Sequence, residues 1–129
     1  MDLVADKDPV ETREWREALE SVLDGAGMLH ATNINWALAV AQEARRRMIR
    51  VSTDVQAIRN LDEAYNRRFL EVADVVFFSG ENLEGSPEAA IRRVWSEFDV
   101  SLAVCTLAER GAMLGDRITG EIICQPAVP

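Results

Sequence analysis

The sequence predicts an α/β fold: a parallel sheet with helices on both faces, in three layers, incomplete and ending in a β-hairpin. Strand-like and helix-like segments alternate three times along the 129 residues. The strand-like segments are continuous apolar runs such as "VVFF" and "LAVC", which suit strands covered on both faces. Near the C-terminus two further apolar runs flank "DRIT", the pattern of a hairpin. At this length the chain is one domain, spanning 1–129, or part of a larger one.

In "DPVETREWREALESVL", Asp8 is placed as N-cap, Pro9 takes the first helical position, and Glu11 completes a capping box. Trp15, Leu19 and Val22 follow at helical spacing. "GAGMLHAT" then reads as a buried strand after two glycines. In "NINWALAVAQEARRRM" the residues Ala37, Val40, Ala41, Ala44 and Met48 line one helical face. The arginines 45 to 47 at its end suit the negative pole of the helix dipole. "IRVSTDV" is a short β-branched strand.

A third helix is expected in "NLDEAYNRRFLEVA", with Asn60 and Glu63 in capping-box register and Leu61, Tyr65, Phe69 and Val72 on one side. "DVVFFS" is the next strand. The helix "SPEAAIRRVWSEF" follows, with Ser86 as cap, Pro87 at its first position, and Ile91, Val94, Trp95 and Phe98 as its apolar side. "SLAVCTL" is a fourth strand, and "GAMLG" with "GEIICQ" forms the hairpin.

Apolar content of 48% and charged content of 28% are those of a globular domain. A net charge of −8 excludes nucleic acid and anionic membrane as main partners, since both would repel it. It does not exclude ATP, because a helix N-terminus and Mg²⁺ act locally. Lys7 is the only lysine, so no P-loop or Schiff-base lysine is at hand in an α/β core. Cys105 and Cys124 sit in apolar runs without a CxxC spacing and are expected to be free core thiols. The acidic start "MDLVADKDPVE" lacks an apolar h-region and no run is long enough to span a bilayer, so a reducing cytoplasm is expected.

In open parallel sheets the chemistry lies at the carboxyl ends of the strands. Those ends fall at residues 30–33, 53–56, 79–82 and 106–111, and all are polar or glycine-bearing. Asp54 either caps the next turn or faces a metal, phosphate or hydroxyl group. His30, the only histidine, is a hydrogen-bonded structural residue or a pocket residue; no serine or cysteine constellation makes it part of a triad. Glu81 and Glu84 precede a helix start, where they favour the dipole or supply oxygen ligands to Mg²⁺. In "TLAERGA" the Thr106 hydroxyl and the small residues after it suit close approach of a phosphate or ribose; alternatively Gly111 is simply a turn.

In order and spacing the segments "MLHATN", "IRVSTDVQ", "ADVVFFSGEN" and "VCTLAERGAMLG" resemble the PfkB (ribokinase-like) carbohydrate kinase family across residues 26 to 129. The resemblance implies a ribokinase-like fold and an ATP-dependent phosphotransferase with an alcohol group, that of a sugar, as acceptor. It implies Thr106, Glu109 and Gly111 beside the nucleotide, Glu81 and Asn82 near Mg²⁺, and His30, Asn33 and Asp54 on the substrate side. Three positions depart from the family pattern. Ala108 stands where the first glycine of "TLGxxG" is usual, and Ser79 and Asn82 stand where the family has Asn and Glu. An alanine at that turn is penalised if it must take a positive φ.

Family members run to about 300 residues, against ~100–200 for a typical domain. The N-terminal sugar-binding and lid part, and the "DTxGAGD" segment with its general base aspartate, have no counterpart in the sequence. The chain is therefore expected to be a partial domain, without a catalytic residue of its own and inactive alone. Self-association through exposed sheet edges is expected. The rival expectation is a non-catalytic α/β module that binds a nucleotide or a partner protein.

Overall fold

The computed structural model describes residues 13–129. Its elements are α1 (Arg13–Leu23), β1 (Met28–Thr32), α2 (Asn35–Arg46), β2 (Arg50–Ala57), α3 (Ala64–Val72) and β3 (Val75–Ser79). There follow α4 (Pro87–Glu97), β4 (Leu102–Thr106), a 3₁₀ turn at Ala108–Arg110, β5 (Ala112–Asp116) and β6 (Glu121–Gln125). One six-stranded sheet runs in the order β1-β2-β3-β4-β5-β6. The first four strands are mutually parallel, and the β4–β5 and β5–β6 pairs are antiparallel. The expected cap residues Asp8, Pro9 and Glu11 lie outside the described residues.

Each parallel strand lies beside the one before it in the chain, so right-handed crossovers carry α2, α3 and α4 to the same face. Burial follows that geometry. Ala31, Val51, Thr53, Val55, Val76, Phe78, Ala103 and Cys105, which alternate along β1 to β4, are buried under the helices. They meet Ala41, Ala44, Phe69, Leu70, Ile91 and Val94. The opposite face of the same strands is more open. One row across it holds Thr32, Asp54, Phe77, Val104, Leu114 and Ile123; another holds His30, Ser52, Val75, Leu102, Asp116 and Glu121. The expectation of helices on both faces is thus corrected for the described residues: their helices cover one.

Local chemistry explains where the elements stop. The second helix was expected to carry Met48 on its apolar face. Instead the helix ends at Arg46, and Met48 is 93% exposed with φ 61. The Met48 N–H donates to the Arg45 carbonyl at 3.0 Å and the Ile49 N–H to that of Ala44 at 2.9 Å, a Schellman closure. Nor does Asn60 cap α3. Its side chain accepts from the Asp62 N–H at 2.9 Å in a local turn, and the helix begins at Ala64. Ser86 does cap α4, accepting from the Ala89 N–H at 3.0 Å with Pro87 in the first position. Cys105 is buried as expected, whereas Cys124 is exposed because β6 is an edge strand.

Two features tie α4 to the rest. Ile91 and Trp95 press on Gly115 of β5, where an added Cβ would come within 2.6 Å of the Trp95 ring. Arg93 pairs with Asp62 and with Glu97, and Arg67 reaches Glu97 at 3.1 Å, linking α3, α4 and the preceding loop. At the amino ends of the strands, Asp74 accepts from the Val51 N–H at 2.8 Å through its carboxylate, while its carbonyl takes the Ser101 N–H at 2.9 Å. No helix among the described residues is long and apolar enough to cross a membrane.

Gly115→Val is expected to destabilise the fold by roughly 1–3 kcal/mol through overpacking, as measured by urea denaturation followed at Trp95. The Arg93 network gives a pH dependence. The hydrogen bond from Arg93 holds the carboxyls of Asp62 and Glu97 below their ordinary range. A depressed folded-state pKa stabilises above the ordinary carboxylate range, at about pH 4, and is lost as pH falls through the depressed values. Wild type is therefore expected to melt above an Asp62→Asn/Glu97→Gln double variant at neutral pH. The two should converge in acid, and a gap that persisted there would contradict this account.

Candidate functional site

The carboxyl ends of β3 and β4 lie side by side. Ser79 and Thr106 are register partners on the open face, and the Gly80 N–H donates to the Thr106 carbonyl at 2.9 Å. A Cβ on Gly80 would meet the Cys105 sulfur at 2.9 Å, so the backbone there is closely packed. After Thr106 the chain turns through the 3₁₀ segment. The Leu107 N–H donates to the Gly111 carbonyl at 2.7 Å, and the Gly111 N–H to that of Ala108 at 3.0 Å. Ala108 takes a left-handed φ of 51 and Gly111 one of 92. Gly111 cannot be replaced without displacement, because a Cβ would come within 2.7 Å of the Ala127 nitrogen and 2.8 Å of the Pro126 carbonyl carbon. Thr106, Ala108 and Glu109 are exposed at the rim of this turn.

A second polar group occupies the carboxyl ends of β1 and β2. The β2–β3 register shifts between Asp54 and Ala57, and Gln56 within that bulge has φ 61. The Gln56 N–H donates to the Asp54 carboxylate at 2.8 Å, and its side-chain amide donates to the Thr32 hydroxyl at 3.1 Å. Asp54 thus makes the turn contact that its sequence position allowed, on the open face in the same row as Thr32 and Phe77. His30 lies within β1 rather than after it, exposed on the open face. Its Nδ1 is 3.0 Å from the Ser52 hydroxyl, and its ring meets Phe77 edge-on at 6.2 Å.

Asn33 is turned to structural work. Its amide donates to the Val55 carbonyl at 3.2 Å and to the buried Asn66 at 3.0 Å, while its own carbonyl accepts from the Tyr65 hydroxyl at 2.8 Å. These bonds fasten the β1–α2 loop to α3. Glu81 and Asn82 lie exposed in the turn after β3, where the Glu81 N–H donates to the Ser79 hydroxyl at 3.3 Å. Glu84, the other acid of that turn, pairs with Arg59 at 2.8 Å. Among the described residues no group of three or more His, Cys, Asp or Glu converges to hold a metal. The donor set at β3 is therefore one carboxylate and one amide, which suits Mg²⁺ only when phosphate and water supply the remaining oxygens.

The strand ends thus bring Thr106, Gly111 and Ser79 together, with Glu81 and Asn82 on the adjoining turn. Asp54 and His30 share the open face two and three strands away from Thr106, and Asn33 is engaged in the loop network. Sequence reading did not single out Thr32, Ser52 and Gln56. Only the β1–β2 register places these residues against Asp54 and His30. A groove of about 380 Å³ lies between α1, β1 and α2 and shares no residue with the Thr106 turn.

Comparison with solved structures finds the same ribokinase-like fold. A microbiome-derived acarbose kinase is 21% identical with a TM-score of 0.79, covering 96% of this chain and 39% of its own. A PfkB protein from Polaromonas is 20% identical with a TM-score of 0.62, covering 85% of this chain and 43% of its own. A ribokinase from Thermotoga maritima is 15% identical with a TM-score of 0.63, covering 84% and 38%. The chain thus spans about two fifths of the length of these proteins, and at such identities the likeness is one of fold. A family model described as the pyruvate dehydrogenase E1 component, N-terminal domain, matches residues 8–52. That stretch ends in the first residues of β2 and leaves out β3 to β6. No curated protein sequence matches the chain.

A left-handed alanine costs about 1–2 kcal/mol relative to glycine in the same conformation, partly offset by the greater freedom of glycine in the unfolded chain. Ala108→Gly is therefore expected to stabilise the chain by up to about 1 kcal/mol in chemical denaturation. A destabilised variant would show that Ala108 makes a packing contribution larger than its strain.

Proposed function

We propose that this chain carries the nucleotide-edge half of an ATP-dependent phosphotransferase with an alcohol group, that of a sugar, as acceptor. The observation that carries the reading is the turn after β4. A threonine hydroxyl at a strand end is followed by two left-handed residues, in a fold whose solved examples include kinases of sugars and of a nucleoside. In this reading Thr106 donates to the nucleotide, and Gly111 lets the backbone turn closely beneath it. Glu109 is placed on the exposed rim, where it meets the ribose. Glu81 and Asn82 hold water around Mg²⁺, and the bound nucleotide supplies the phosphoryl group that is transferred.

Asp54 and His30 face the acceptor side, Asp54 oriented by the Gln56 N–H and His30 by Ser52. Asn33 acts only by holding the loop between them and α3. The transfer itself is assigned to a protein that contains this unit within the longer fold of the solved structures, which this chain matches over about two fifths of their length. A cytoplasmic setting goes with that activity.

A second reading, a non-catalytic α/β module, is favoured by one observation: the strained alanine at position 108, where a glycine would turn more cheaply. Calorimetric titration of the chain with Mg·ATP separates a nucleotide-binding chain from a module that meets only a partner protein. Saturable binding is expected, weakened about fivefold to tenfold by Thr106→Val, the loss of roughly one hydrogen bond of about 1 kcal/mol. Thr106 is exposed, so that substitution leaves the core intact. A flat titration leaves only the module reading.

A further inference from the structure

We infer that Arg110 receives the phosphate tail of the nucleotide, a role that rests on reading the turn after β4 as a nucleotide edge. Such a tail needs positive charge besides Mg²⁺, and the strand ends described above offer carboxylates, hydroxyls and amides. Lys7, the only lysine, lies outside the described residues. In the loops at the carboxyl ends of the described strands, the cations are Arg59 and Arg110.

The two differ in what already holds them. Arg59 pairs with Glu84 at 2.8 Å, and the Glu84 N–H donates to the Arg59 carbonyl at 2.7 Å. That arginine is tied to the loop before α4. Arg110 is exposed and has no carboxylate within ion-pair distance among the described residues. Its guanidinium keeps its donors for a ligand, and their planar fork matches two phosphate oxygens.

The backbone beneath Arg110 is fixed. Its N–H donates to the Leu107 carbonyl at 3.0 Å, and it stands between Ala108 with φ 51 and Gly111 with φ 92. The guanidinium stays near the strand ends. Its charge acts on the Cys105 thiol, opposing the burial that pushes that thiol up to about 11. Cys105 in turn lies against Gly80, the residue before Glu81 and Asn82. Adjacent strands are about 4.8 Å apart, so a tail running from Thr106 toward Asn82 stays within reach of an arginine side chain. In a chain of net charge −8 this nearness decides, since charges beyond about 8 Å are largely screened at physiological salt.

The test titrates the 129-residue chain calorimetrically with Mg·ATP and with adenosine, each at about 50 and 200 mM salt. Arg110→Gln is expected to weaken Mg·ATP about tenfold, to flatten its salt dependence, and to leave adenosine unchanged. Arg110→Lys should recover part of the loss, keeping the charge without the fork. The control is Arg50→Gln, an equal change of net charge at an exposed position on the amino edge, which should shift affinity less than about twofold. In NMR spectra of the parent chain, the Arg110 Nε–Hε resonance should move with Mg·ATP and not with adenosine. Equal weakening of ATP and adenosine would place Arg110 on the base and overturn the inference. So would an equal effect of Arg50→Gln, which would make the loss one of general field. Mg·ATP binding that Arg110→Gln leaves untouched would sink this inference alone, whereas a parent chain that binds no Mg·ATP would take the nucleotide reading down with it.

Discussion

The handedness of the crossovers governs this molecule. A strand feeding a helix that returns to a parallel neighbour packs back on the sheet almost only in the right-handed sense. When three successive crossovers also step in one direction, every helix is carried to one face, as α2, α3 and α4 are. The two faces then acquire different chemistry from the same strands. Val76 and Phe78 are buried beneath helices, while Val75, Phe77 and Ser79 between and beside them are only partly covered. Polar side chains are tolerated on the open face, and there His30, Ser52, Thr32 and Asp54 meet.

The antiparallel end of the sheet depends on two glycines for unlike reasons. Gly115 is small because α4 lies directly on β5, and Trp95 occupies the space a side chain would need. Gly111 is small because its φ of 92 and the nearby chain after β6 leave no room. The first sets the distance between helix and sheet. The second sets the path of the turn that follows Thr106, so the rim of the candidate nucleotide edge is held by the same hairpin that ends the sheet.

Much of this was legible in the sequence, because periodicity and caps are local. Ser86 and Pro87 announce α4, and the apolar runs announce β3 and β4, each at nearly the observed bounds. What was not legible depends on neighbours distant in the chain. An apolar strand run does not say whether its second face has a cover, so helices were expected where Phe77 and Val104 are half-open. Asn60 and Glu63 satisfy the capping pattern, yet the Asx turn at Asp62 competes for the same side chain and wins. Asn33 sits where a ligand residue would, but a partner 33 positions away takes its amide.

The backbone adds an argument that side chains alone do not. Among the described residues three non-glycine side chains sit at positive φ: Met48, Gln56 and Ala108. Each conformation is costly, by about 1–2 kcal/mol. Met48 is explained by helix termination, since the Schellman closure requires a left-handed residue there. Gln56 and Ala108 are not explained by any such need, because a bulge or a reversal could be built more cheaply with glycine. Both stand at carboxyl ends of strands, on β2 and just after β4, flanking Ser79 of β3. Both strained positions thus fall at the carboxyl edge of the parallel sheet, the edge at which open α/β folds bind ligands.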